Sequence, residues 1–316
     1  MKLATRVIKN NEQHIRSWSK ILTRKLISSV NTIKRHFFAG VFKKRESSIK
    51  VLEEHSFKCS ICGNNKFQIE KGVSIREAKC KECGASKRNS DIALAILKVF
   101  GLSDKSFLMK DFFFLKNCSI YEVQSYGAIH EILSVLPHYL CSEYFEDLFP
   151  GEIHHSGIRC ENLERLSFAE NSFDLVISQD VLEHVSDPDK AFKEIHRVLK
   201  PGGCHLFTVP IHEGKKTIKR AKAKDKKVIN LLPPVYHGNP VKEITEYLVF
   251  TDWGDDIIEY LDSLGFPTQI IVSSKFYPNV SIPYIDNELE YKKYEKASKN
   301  ILKYFLYNSI VFITKK

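Results

Sequence analysis

From residue 118 onward the chain alternates short apolar runs with amphipathic ones, and this alternation limits its fold more than any other feature. Ser119–Val123, Tyr139–Glu143, Phe173–Ser178 and Cys204–Val209 read as strands. Between them, 129–136 and 187–199 carry apolar residues at helical spacing. Pro188 stands in the first turn of the second helix, and Lys-Pro-Gly-Gly at 200–203 ends it. A β-α-β-α order calls for a parallel sheet with helices on both faces. Two late strands, 268–273 and 309–314, suit a closing antiparallel hairpin. A dense apolar helix is expected over 91–100, and the Lys-rich stretch 215–227 reads as a loop excursion.

Ahead of this region stand two tight cysteine pairs, Cys59/Cys62 and Cys80/Cys83, separated by 17 residues. A two-residue gap lets one turn aim two thiolates at a single point. Gly63 and Gly84 follow the pairs and permit the positive φ that such turns need. Two knuckles of this kind complete a tetrahedral four-sulfur site for zinc. Four thiolates leave no open coordination position, so the metal is expected to be structural. The other cysteines, Cys118, Cys141, Cys160 and Cys204, read as small buried hydrophobes.

The chain has 316 residues and a net charge of +10, unevenly spread. Residues 1–50 hold 8 Lys and 5 Arg against Glu12 and Glu46, whereas 51–316 carry 35 basic and 36 acidic side chains. The basic character therefore belongs to an N-terminal arm, and the near-neutral remainder disfavours a nucleic-acid groove. Within the arm, Ile15, Trp18, Leu22, Leu26, Val30 and Ile33 share one helical face. That face suits packing on the main domain or a second subunit, or a peripheral membrane contact. No run is long and apolar enough for a membrane span, and no secretory signal is visible, so a cytoplasmic location is expected.

The run at 171–185, Asn-Ser-Phe-Asp-Leu-Val-Ile-Ser-Gln-Asp-Val-Leu-Glu-His-Val, is followed by Phe192 and by Arg-Val-Leu-Lys-Pro-Gly-Gly at 197–203. It closely resembles the fourth strand and following helix of class I methyltransferases of the type 11 kind. Gly-Ile-Arg-Cys-Glu-Asn-Leu-Glu-Arg-Leu-Ser-Phe at 157–168 resembles their adenine-contacting loop. Residues 232–241 and 249–254 resemble a substrate-side segment of a bacterial subgroup whose members also carry a four-cysteine ribbon. The resemblance covers most of 55–316. It implies an α/β fold: a Rossmann-like methyltransferase sheet, mostly parallel with the last strand antiparallel, with a small zinc ribbon; the basic helical arm lies ahead of the part that the resemblance covers. The division expected is 1–52 arm, 53–90 ribbon and 91–316 methyltransferase domain.

The resemblance also implies S-adenosyl-L-methionine as cofactor, beside the structural zinc held by Cys59, Cys62, Cys80 and Cys83. Ligands of open α/β sheets sit beyond the carboxyl ends of the strands, at the switch point. Glu143, ending its strand, is placed for the ribose hydroxyls, or is a solvent-facing strand-end carboxylate. Glu161 and Asn162 correspond to the adenine-side position, with Asn162 standing where Asp is commoner. Gln179 follows the fourth strand on the methyl-donor side. The first strand and turn depart from the family's glycine-rich pattern: Glu122 keeps the acidic position, Gly127 survives, and Ser125 is small, but Gln124 and Tyr126 intrude. Such a loop belongs either to an altered working site or to a catalytically inactive binding or scaffold protein.

For an enzyme, the expected reaction is methyl transfer to a small-molecule or sugar/glycan-intermediate acceptor at oxygen. Alignment for in-line attack is worth roughly 7–11 kcal/mol. A general base adds roughly 100- to 10,000-fold. The candidates are His237, in a turn-rich loop, His184 and Asp180. His184 is equally readable as a capping or core histidine, and His237 as a surface-loop one.

Overall fold

The computed structural model describes residues 52–70, 73–102, 109–212, 215–224, 227–238, 247–272 and 310–316. The expected arm, 1–52, lies outside them except for its last residue. Three strands, β1 (Leu52–Ser56), β2 (Lys66–Glu70) and β3 (Lys79–Cys80), form an antiparallel sheet that carries the cysteine pairs. The helix α1 (Lys87–Val99) follows; Ser86 caps it, its hydroxyl accepting from the Asn89 N–H at 3.1 Å. The i,i+4 pair Lys87 and Asp91 is fully buried in its first turns.

Among the described residues the main sheet has seven strands. In chain order they are β4 (Ile120–Glu122), β5 (Tyr139–Glu143), β6 (Arg159–Cys160), β7 (Phe173–Gln179), β8 (Leu199–Thr208), β16 (Thr268–Val272) and β17 (Ile310–Lys315). Their spatial order is β16-β17-β8-β7-β4-β5-β6. The pairings of β4, β5, β6, β7 and β8 are parallel, and β17 is antiparallel to both β8 and β16. The closing hairpin and the mixed sheet thus follow the expectation. β7 is almost continuously buried, which is why it reads as an unbroken apolar run rather than an alternating one.

Helices cover both faces. On one side α1 and α2 (Ala128–Leu133) pack with the ribbon, so Phe67, Cys59, Ile92, Ile96, Leu175 and Leu206 share one core. On the other, α3 (Pro188–Val198) and α4 (Ile257–Ser263) enclose Phe192, Phe207, Trp253 and Phe312. Asp187 caps α3, accepting from the Lys190 N–H at 3.2 Å. Cys160 and Cys204 are buried, while Cys118 and Cys141 are half-buried.

The Lys-rich stretch is not a plain loop. It forms β10 (Ile218–Lys219) and β11 (Ala221–Lys224), and β11 pairs antiparallel with β12 (Lys227–Asn230). β10 joins a small sheet with β15 (Thr251–Gly254) and β9 (Ile211–His212). β12 is exposed along its whole length, so no hydrophobic alternation announced it. Among the described residues no helix is long and apolar enough to cross a membrane.

Candidate active site and metal centre

The strand order reverses at β4, which has β5 on one side and β7 on the other. Chain leaving β4 turns toward one side of the sheet and chain leaving β7 toward the other, so a crevice opens beyond their carboxyl ends. A cavity of about 670 Å³ lies there, lined by Gln124, Tyr126, Glu143, Asn162, Asp180 and His184 among others. Small-molecule sites span roughly 300–1,000 Å³.

Glu143 ends β5, is 8% exposed, and lines the cavity. Ser125 donates to its Oε1 twice, from N–H at 2.8 Å and from Oγ at 2.9 Å. The small side chain at 125 therefore ties the turn after β4 to the end of β5. Gly127 begins α2 with φ of 97°, a left-handed conformation that glycine adopts without strain. Gln124 folds back so that its Nε2 donates to the Tyr126 carbonyl at 3.1 Å. Gln124 and Tyr126 thus form part of the wall and leave the cavity open.

Glu122 lies behind that wall. It is fully buried; Tyr139 Oη donates to its Oε2 at 2.8 Å and Gln179 Nε2 to its Oε1 at 3.4 Å. Asn89 of α1 donates in turn to Gln179 Oε1 at 2.7 Å. Glu122, Ser125, Gly127 and Gln179, expected to meet the cofactor, are not among the residues that line this cavity; Ser125 tethers Glu143, which is one of them. Burial pushes the Glu122 carboxyl up to about 8 from an ordinary 4.5. A raised carboxyl favours the folded state at acid pH, and that contribution fades as pH climbs from 4.5 through 8. Glu122→Gln should accordingly gain stability relative to wild type across this interval in thermal melts; parallel pH profiles would refute it.

Glu161 and Asn162 reach the cavity wall. Glu161, however, is committed: it accepts from Arg159 Nε at 2.7 Å, from Ser167 Oγ at 2.5 Å and from the Ser167 N–H at 2.9 Å. Asn162 Oδ1 accepts from the Glu164 N–H at 2.8 Å, a local turn that leaves its amide nitrogen as the polar group offered at this wall.

Asp180 follows β7 at φ of 53°, rare outside glycine and tolerated best by Asn and Asp. Arg76 Nη2 donates to both its oxygens at 2.5 Å, Arg88 Nη1 also contacts it, and Thr208 Oγ1 donates at 3.0 Å. The oxygens of Asp180, expected as a candidate proton acceptor, are thus engaged by two guanidiniums and a hydroxyl. Both arginines come from the cysteine-bearing region, which sequence reasoning did not connect with this site.

His184 ends the 3₁₀ turn Leu182–His184 and lines the cavity. Its Nδ1 donates to the Leu248 carbonyl at 2.9 Å, which leaves Nε2 with a lone pair. Burial lowers its pKa to about 4, so the ring is neutral. His237 lies in β13 (Tyr236–His237), which pairs with β14 (Tyr247–Leu248). Its ring centroid is 5.1 Å from that of His184. Between them sits Glu183, 1% exposed, a residue passed over because only the fold reveals its burial. Burial raises its carboxyl to about 7.

In the ribbon, Cys59 Sγ lies 3.8 Å from Cys83 Sγ, and Cys62 Sγ 3.6 Å from Cys80 Sγ. Disulfide sulfurs lie about 2.05 Å apart. A tetrahedron of sulfurs about 2.3 Å from a central zinc has edges of roughly 3.8 Å. Gly63 and Gly84 adopt φ of 84° and 73° as the knuckles require. The four thiols thus fit a tetrahedral ion.

Residues 138–207 match the methyltransferase domain family. The matched segment runs from β5 through nearly all of β8 and so includes Glu143, Glu161, Asn162, Gln179, Asp180 and His184. A dimethylglycine N-methyltransferase of Parasynechococcus marenigrum is 31% identical over 96 residues, 30% of this chain and 30% of that protein. A ubiquinone/menaquinone biosynthesis C-methyltransferase UbiE of Pseudoalteromonas translucida is 44% identical over 75 residues, 23% of this chain and 28% of that protein. The matched part thus spans less than a third of the length of these curated relatives. A solved S-adenosylmethionine-dependent methyltransferase from Mesorhizobium loti is 15% identical with a TM-score of 0.34, covering 63% of this chain and 91% of that one.

Proposed function

We propose that this chain is an S-adenosylmethionine-dependent methyltransferase acting on a small-molecule or carbohydrate acceptor, at oxygen, with its four thiolates holding a structural zinc. The observation that carries the reading is Glu143. It is a carboxylate at the end of the strand next to the switch point, facing a cavity of about 670 Å³ inside the segment that matches the methyltransferase domain.

S-adenosylmethionine supplies an electrophilic sulfonium methyl. Glu143 receives the ribose hydroxyls, and the Asn162 side chain lies at the adenine side. Val123, Leu163 and Val185 give the cavity apolar walls, which suits a reaction in which positive charge is lost. The acceptor oxygen approaches from the side of His184 and His237, and its proton is lost there. Asp180, clamped by Arg76 and Arg88, fixes the turn between β7 and His184. The sugar or glycan-intermediate class of acceptor rests on the family resemblance.

A second reading is a non-catalytic scaffold, favoured by the loss of glycines between Glu122 and Gly127. Calorimetric titration with S-adenosylhomocysteine separates the two. Micromolar binding is expected, weakened by about 1–3 kcal/mol in Glu143→Ala, the size of a hydrogen bond to a charged group. No heat at high concentration would favour the scaffold, and unaltered affinity in the variant would remove Glu143 from the site.

A further inference from the structure

Beside the cavity, three side chains turn acceptor atoms toward one point. Glu183 Oε1 is 3.7 Å from His184 Nε2 and 3.9 Å from His237 Nδ1, and the three ligand atoms all lie within 4.8 Å of one another. Glu183 is 1% exposed, and among the described residues neither of its carboxylate oxygens has a hydrogen-bond partner. A buried carboxylate is ordinarily paired, and leaving it unpaired is costly. His184 cannot supply the missing proton through Nε2, because its Nδ1–H is the one given to the Leu248 carbonyl. So a lone pair on nitrogen faces a carboxylate oxygen across a gap too long for a hydrogen bond.

A cation between them resolves this. Imidazole ligands of a metal almost always donate their other N–H to a carbonyl or carboxylate, as His184 does to Leu248. Two histidines and a glutamate form a known ligand set of catalytic zinc and related ions, one that keeps coordination positions open. With bonds of roughly 2.1 Å, tetrahedral ligand atoms lie about 3.4 Å apart, so the two Glu183–histidine gaps need to close by roughly 0.3 to 0.5 Å and the histidine nitrogens, within 4.8 Å of each other, by at most roughly 1.4 Å.

The neighbouring charges permit it. Arg76 and Arg88 act on Glu183, but both are paired with Asp180, and Glu77 lies 3.7 and 3.4 Å from them. The two guanidiniums are thus offset by the carboxylates of Asp180 and Glu77, so no uncompensated positive charge faces the Glu183 carboxyl.

We propose that Glu183, His184 and His237 bind a divalent transition-metal ion, distinct from the four-thiolate zinc, at the acceptor side of the cavity. His184 and Gly238, next to His237, line that cavity, so the open positions face it. There the ion would take the acceptor's hydroxyl oxygen and ease loss of its proton. That role rests on the methyl-transfer reading, whereas the site itself rests on the trio alone.

Cobalt titration of the metal-free full chain tests it without turnover. Cobalt in four thiolates gives intense near-ultraviolet charge-transfer bands, and cobalt on nitrogen and oxygen gives only weak visible ones. Wild type is expected to take up two Co²⁺ per chain, one of each kind. His237→Ala, a half-exposed position where folding should survive, and Glu183→Gln should each weaken the second uptake at least tenfold and leave the thiolate band intact. Saturation of wild type at one thiolate-bound ion, or full second uptake by folded His237→Ala, would overturn the proposal. Absence of the thiolate band would count against the ribbon zinc alone, and failure to bind S-adenosylhomocysteine would count against the cofactor reading alone.

Discussion

On the proposed zinc reading, Cys80→Ser is expected to release the metal and to unfold more than the ribbon. Cys80 is 2% exposed, pairs through β3 with Phe67 of β2, and belongs to the core that also contains Ile92 of α1 and Leu175 of β7. In isolated zinc fingers the metal contributes roughly 10–16 kcal/mol of apparent folding free energy. Here part of that loss is offset by packing on the sheet. The remainder should still appear as a large fall in thermal midpoint, with zinc content near zero by elemental analysis. The effect should also reach the cavity, because Arg76 lies between the two cysteine pairs and Arg88 just beyond them, and both hold Asp180. Cofactor binding should therefore weaken together with metal loss. Unchanged zinc content in the variant would refute the four-thiolate site.

Asp180→Ala is expected to cost about 3–5 kcal/mol of stability, the penalty for removing one partner of a buried ion pair. The reason is what it leaves behind. Arg76, whose side chain is only 8% exposed, would keep its charge with Glu77 at 3.7 Å as its remaining close carboxylate. Thr208 Oγ1 would lose its acceptor as well. Denaturant unfolding measures the cost. A variant of wild-type stability that lost only turnover would instead restore Asp180 as a proton acceptor.

The sheet was legible because parallel strands buried on both faces must be apolar throughout, as β7 is. The helix at 188–198 announced itself through Asp187 and Pro188 at its start. The β11–β12 hairpin did not, because its strands are lysine-bearing and largely exposed and so lack the two-residue alternation on which strand reading depends. In the site, the cysteine spacing is a covalent constraint and could be read directly. The position of Glu143 follows from the end of its strand. The clamp on Asp180 could not be read, since Arg76 and Arg88 lie 104 and 92 residues away in sequence. Glu183 stood in plain view beside His184, yet nothing local distinguishes a buried, unpaired carboxylate from a solvated one. The glycine-poor turn misled in the opposite sense: Ser125 serves as a tether to Glu143, and Gln124 bonds to its own loop.

A crystal structure grown with S-adenosylhomocysteine tests the central claim most directly, that adenosine lodges at the switch point beyond β4. The expected result places the ribose hydroxyls on the Glu143 carboxylate, the adenine beside Asn162 and the thioether sulfur toward His184. A crevice filled by Gln124 and Tyr126, with the ligand absent or bound elsewhere, would contradict it.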